Sequence, residues 1–405
     1  MTTMRAFTFL WFGQIISLIG SAMTWFAFTL WAWEITGKAS ALATISFFAF
    51  LPTVLFSPIA GAFVDRWSRK LVMLLSDLAA ALGTLAVFLI YTFGALQIWH
   101  IYFVSLLVGF FTAFQYPAYS AAVTTMLSRD DYARAEGMLG SARALSGILA
   151  PIFGAVLFVR VGLSGIMLID LATFIFAFAT LLMIHIPQPQ QTETGLQSKG
   201  TLRREIGFGF RYIKQKQSLY ALTVLFMLAG IFLAIGATLA APLVLSGTGN
   251  NESALATVQS TGAVGGIAGG VLLSVWGGTK RRIHTILIGG AGACLLGIVW
   301  LGLSSTILLW AIGSFFFAFF EPFVEGGNIA IWQASVPADA QGRVFSARHL
   351  LAQIPYLIGI LISGYLAEAG TISGVMIFAG ALGMGVFLAG YFFRNIREAE
   401  VLLEM

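Results

Sequence analysis

Apolar runs long enough to cross a bilayer alternate with short polar connections along the whole chain. A hydrocarbon core about 30 Å thick needs roughly 20 apolar residues per helix. By that rule the sequence predicts twelve membrane-spanning helices, at 7–34, 40–63, 71–94, 98–126, 136–159, 163–186, 218–246, 253–276, 283–303, 306–333, 344–367 and 371–393. The longest polar interval, 187–217, opens as "PQPQQTETGLQSKG", a loop composition, and continues as "TLRREIGFGFRYIKQKQ". There Leu202, Ile206, Phe210 and Ile213 recur at helical spacing among Arg and Lys, which predicts an amphipathic helix on the inner membrane surface. The expected organisation is an all-α membrane protein: a six-helix bundle at 1–186, a connector at 187–217, a second six-helix bundle at 218–393 and a cytoplasmic tail at 394–405.

Composition agrees. Of 405 residues, 59% are hydrophobic and 10% charged, with a mean hydropathy of +0.91, whereas soluble domains carry about 25% charged residues. Charge sets the orientation. With both termini in the cytoplasm, every Lys and Arg of the 22 except Lys38 and Arg160 falls on the inner side, as the positive-inside rule demands. The pI near 9.4 then reflects basic loops facing anionic inner-leaflet lipid. Charge spread over short loops does not suit a nucleic-acid partner. The first apolar run is too long for a cleaved signal. Cys294 is alone in mid-span and His100, His185, His284 and His349 are scattered, so no disulfide or metal site is expected. No Gly-rich phosphate loop is present, and no grouping of His with Ser or Cys suggests an enzyme. The expected partners are protons, membrane lipids and a small amphipathic substrate, with no cofactor, the proton gradient as energy source, and a monomeric chain.

The two halves echo one another. "SARALSGILAPIFGAVL" at 141 is similar to "SARHLLAQIPYLIGILISG" at 346, and "SGIMLID" at 164 to "SGVMIFA" at 373, offsets of 205 and 209 residues. A parallel repeat of two bundles points to a transporter with alternating access. "GAFVDRWSRK" at 61–70 resembles the signature loop of the major facilitator superfamily, Gly-x-x-x-Asp-Arg-x-x-Arg-Lys, between spans 2 and 3. "SDLAAA" just after it, "IDLATF" at 169 and "GRVFSAR" at 342 are similar to the drug-efflux branch that contains macrolide exporters. The equivalent loop of the second half, "WGGTKRR", keeps the basic end and lacks the Asp.

The resemblance implies that Gly61 permits close helix approach and that Asp65 meets the N-terminal end of span 11 in the outward-open state. A carboxylate there gains about 0.3–1 kcal/mol from the helix dipole. Arg66, Arg69 and Lys70 would brace the closed cytoplasmic gate; the other reading is a loop that only sets topology. In span 5, Gly137, Ser146, Ala150, Pro151, Gly154 and Ala155 match the spacing of the superfamily's exporter motif, with Ser or Ala at several Gly positions. Small residues let helices pack tightly.

Intramembrane acids are functional candidates by default. Glu321, Glu325 and Asn328 share one face of span 10. Burial and a like-charged neighbour both favour the protonated carboxyl, so the Glu pair is expected to titrate as a unit and hold a proton near neutral pH. A structural, hydrogen-bonded pair is the alternative. Asp77 and Asp170 are further proton-coupling candidates, on spans 3 and 6, which the resemblance makes peripheral; Arg143 or another inner-side Arg is the partner expected for Asp77. Gln14, Ser17, Ser21 and Thr24 make a polar face on span 1, and Thr112, Gln115 and Tyr119 another on span 4; with Asn328 these eight are expected to line a substrate cavity, near Phe28, Phe111 and Phe114. The expectation is a proton-coupled exporter of amphipathic drugs such as macrolides. A siderophore or lipid exporter on the same fold, or a membrane sensor or scaffold that transports nothing, are the rivals.

Overall fold

The computed structural model describes residues 4–64, 67–187, 202–337 and 341–397. Among the described residues the regular structure is helical. The elements are α1 (Met4–Thr36), α2 (Ala39–Val64), α3 (Arg69–Thr92), α4 (Ile98–Met126), α5 (132–161), α6 (163–183), α7 (Leu202–Gln215), α8 (Gln217–Thr248), α9 (Glu252–Trp276), α10 (Arg282–Leu303), α11 (Ile307–Ser335), α12 (Gln341–Ala369) and α13 (Ile372–Ala389).

Eleven helices long and apolar enough to cross a membrane lie among the described residues. One continuous run, Tyr132–Met183, has 52 residues. At 1.5 Å per residue it would reach about 78 Å, more than twice the hydrocarbon thickness. It breaks at Gly162, where φ is +66°, a value that glycine adopts without the Cβ clash. The two pieces, α5 and α6, occupy the places of the expected spans 5 and 6. Side-chain caps define several other starts: Asn251 Oδ1 accepts from Ala254 N at 2.9 Å and Thr371 Oγ1 from Gly374 N at 3.0 Å. Such caps satisfy amides that the first helical turn leaves unpaired.

Two spans are irregular. α10 carries a π-helical stretch at Ala293–Val299, and α11 is interrupted at Phe320, between Ile307–Phe319 and Glu321–Ser335. Pro322, at the second position of the later piece, cannot donate to the preceding turn, so the break falls beside Glu321.

The chain forms two compact units, Met1–Ile35 with Phe48–Gly200, and Thr36–Phe47 with Thr201–Met405. The second unit therefore includes the first turns of α2, where Ser40 N donates to Glu368 Oε1 at 3.0 Å. It also includes α7. The expected connector helix docks on α12: Gly209 lies against the Arg343 backbone and the Arg343 guanidinium sits 4.5 Å from the Phe208 ring centre. The rest of the expected connector, 188–201, and the tail from 398 lie outside the described residues.

Candidate functional site

In the first unit, three helices meet in register. Gly13 and Gly20 of α1 face Thr180 and Thr173 of α6, so that a Cβ on either glycine would strike a threonine hydroxyl. Both spacings are seven residues, about two turns or 10.5 Å, and they run in opposite directions. The glycines thus let α6 lie close against α1. This brings Asp170 to α1, where Ser21 Oγ donates to its carboxylate at 3.0 Å, while Thr84 Oγ1 of α3 donates at 3.2 Å. Two turns along, Asp77 of α3 accepts from Gln14 Nε2 of α1 at 3.0 Å and from Gln115 Nε2 of α4. Gln14 to Ser21 and Asp77 to Thr84 repeat the same step of seven, so α1 and α3 run parallel.

Between them lies a cavity of about 280 Å³, reached by both carboxylates and by Ser17, Thr24 and Thr112. Its apolar wall includes Trp25, Phe28 and Phe174. Asp77 is 8% and Asp170 5% exposed. Among the described residues no Lys, Arg or His lines it. An ionised Asp at the centre of a membrane helix costs about 2.5–3.5 kcal/mol; the two acids meet that cost here with hydrogen bonds rather than a counter-cation. Such a site suits a proton or another cation.

α3 and α6 each keep an exposed apolar face, yet close α1–α6 packing turns both acids toward a shared interior. Arg143 is not the partner of Asp77; it lies over the Tyr116 ring, 5.0 Å from its centre. Six of the eight residues expected to line a cavity converge here. Tyr119 does not, being enclosed in the core toward α4's C-terminal end with no hydrogen-bond partner for its hydroxyl. Asn328 belongs to the second unit. Phe28 lines the cavity, whereas Phe114 packs against Phe56, Phe63 and Phe110.

The small residues of α5 also face α1. Ser146 Oγ donates to Leu18 O at 3.4 Å, and a Cβ on Gly154 would press on the Phe26 ring, while Ala150 is buried. Pro151 is enclosed as well, and Gly137 stands in open space. Of the gate candidates, Asp65 and Arg66 lie outside the described residues, and Gly61 falls in the last turn of α2. Arg69 donates to Ala121 O of α4, and Lys70 Nζ to Leu182 O at 2.8 Å and Ile184 O at 2.7 Å. They tie α3 to the C-terminal ends of α4 and α6.

In the second unit the polar face of span 10 divides. Asn328 is buried with an unpartnered Oδ1, whereas Glu321 and Glu325 are exposed. Glu325 pairs with Arg348 of α12 at 3.1 Å, and that guanidinium lies 5.5 Å from the Trp332 ring centre. The pair of acids expected from sequence is thus an acid beside an ion pair. The sequence repeat is visible here in side chains: Arg143 and Arg348, 205 residues apart, each reach the fourth helix of their own half. Arg282 likewise donates to Ala330 O of α11 at 3.2 Å, as Arg69 does to α4.

These features define a polytopic helical membrane protein with a polar interior site, a transporter rather than an enzyme. The signature of the Major Facilitator Superfamily matches residues 10–359, and the chain belongs to that family. It is 26% identical to Macrolide efflux protein A of Streptococcus pyogenes over 97% of this chain and 96% of that one. It is 27% identical to Macrolide efflux protein A of Enterococcus faecalis over 80% of this chain and 100% of that one. Among solved structures, the nucleoside transporter NupG matches with a TM-score of 0.73 at 14% identity, covering 95% and 98% of the two chains. A bacterial homologue of the iron transporter ferroportin, inward-facing, matches at 0.68 and 17% identity, covering 96% and 98%.

Proposed function

We propose that this transporter is a proton-coupled exporter of amphipathic drugs such as macrolides, working by alternating access in the cell membrane with both termini cytoplasmic. The observation that carries the reading is the cavity of the first unit, where two enclosed carboxylates both take donors from α1 and, among the described residues, no basic side chain lines the wall. A site of that kind is neutral when protonated and anionic when not, so it can exchange protons for a cationic group. The macrolide class comes from the two efflux relatives, and the outward direction from them and from the packed small residues of α5. At about 280 Å³ the cavity falls at the lower edge of drug pockets, roughly 300–1,000 Å³, which fits an ion or a headgroup rather than a whole macrolide. Glu321 and Glu325 remain coupling candidates in the second unit.

Expression in a drug-sensitive host should lower accumulation of erythromycin, and a protonophore should restore it. The double variant Asp77→Asn/Asp170→Asn should reduce this efflux at least tenfold at unchanged expression. Accumulation that is the same with and without the protein across a macrolide panel would overturn the reading and favour a sensor or another cargo.

A further inference from the structure

The two carboxylates of the first-unit cavity are held by different chemistry. Asp77 accepts from two primary amides, Gln14 and Gln115. Asp170 accepts from two hydroxyls, Ser21 and Thr84. A third hydroxyl, Thr24 Oγ1, adjoins Asp170 at the same cavity and is 2% exposed. An amide nitrogen only donates, so a new O–H on its carboxyl partner finds an acceptor there only if the whole amide turns over. A hydroxyl both donates and accepts and changes role by rotating its hydrogen.

We propose that Asp170 is the carboxyl that loads and unloads the coupling proton, with Thr24 Oγ1 as acceptor for the O–H it then carries, while Asp77 remains a fixed, amide-held anion. The assignment rests on the proton-coupled reading above and says which acid performs the exchange. Loading transfers a proton from a hydronium in the cavity to one Asp170 oxygen, leaving water; unloading returns it to water. At Ser21 and Thr84 the change of state asks only that a hydroxyl hydrogen rotate. Thr24 can turn its O–H to the ionised carboxylate and offer its oxygen to the protonated one, so the hydroxyl serves both states. Asp77 is the other titratable group facing Asp170 across the cavity, and among the described residues no cationic side chain faces either. Gln14 holds Asp77 from the same face of α1 that presents Ser21 to Asp170.

The test uses purified full-length protein and needs no substrate. Infrared difference spectra between about pH 6 and about pH 9, above the range near 4 where exposed carboxylates titrate, read the C=O stretch of a protonated carboxyl. The wild-type protein should show this band, Asp77→Asn should keep it, and Asp170→Asn should lose it. Asp170→Glu should restore it at a shifted frequency, which separates loss of the acid from loss of the fold. Thr24→Val should shift the wild-type band, since the O–H loses its acceptor, whereas a merely structural threonine would leave it in place. A band that survives Asp170→Asn, or that disappears in Asp77→Asn, overturns the assignment. A wild-type protein that exports no macrolide yet loses the band with Asp170→Asn would refute the efflux reading alone. Protonophore-sensitive efflux that persists in Asp170→Asn would refute this proposal alone.

Discussion

At the scale of single residues, unequal solvation of partners decides what a substitution costs. The side chain of Arg348 is 16% exposed and that of Glu325 53%. Glu325→Ala leaves an enclosed guanidinium without its anion, whereas Arg348→Met leaves a carboxylate that water already reaches. Breaking an enclosed pair from the exposed side is costly because the buried charge remains, while solvated partners contribute little. Glu325→Ala should therefore destabilise by about 1–2 kcal/mol and Arg348→Met by less. The double variant should lie well below the sum of the two, as read by thermal melting in detergent and a double-mutant cycle. Asn328 offers the opposite case. Its buried, unpartnered Oδ1 carries a desolvation penalty of about 1–3 kcal/mol. Asn328→Leu should raise the melting temperature, and a lower one would mean that the amide has a partner after all.

At the scale of helices, glycine positions set how near two backbones come. A Cβ on Gly265 or Gly269 of α9 would collide with the backbone carbonyls of Phe315 and Phe319 in α11, atoms that cannot rotate aside. Gly265→Val should cost about 1–3 kcal/mol of stability through overpacking. Gly207, in α7, faces open space, so Gly207→Ala should be neutral or stabilising by up to about 1 kcal/mol; melting curves of the two variants give the comparison. The helices themselves are legible in the sequence, because a bilayer imposes one long apolar window per span; α4 has the expected limits, 98–126. The interruption at Phe320 and the π-helical stretch in α10 are not legible, since both depend on neighbouring helices. The acids Asp77 and Asp170 stand out as charges in apolar runs, but their convergence does not. The one available signal is the shared step of seven between Gln14 and Ser21 and between Asp77 and Thr84. It acquires meaning only once α1 and α3 are known to be parallel neighbours, and once packing at Gly13 and Gly20 has brought Asp170 of α6 against α1.

At the scale of the molecule, the proposed orientation, with both termini cytoplasmic, rests on the distribution of Lys and Arg. Cys294 is buried in α10, so the native chain should react little with a membrane-impermeant maleimide in intact cells. Phe93→Cys, at a site 82% exposed between α3 and α4, should label from outside. Lys280→Cys should label only after permeabilisation, and the reverse pattern would invert the topology. The parallel register of α1 and α3 has a mechanical corollary. Because one helix supplies Gln14 to the first acid and Ser21 to the second, a displacement of α1 along its axis by a single turn strips both acids of a donor together. The two stations are ganged: the bundle has no means of releasing one by sliding α1 while the other keeps its full set of hydrogen bonds.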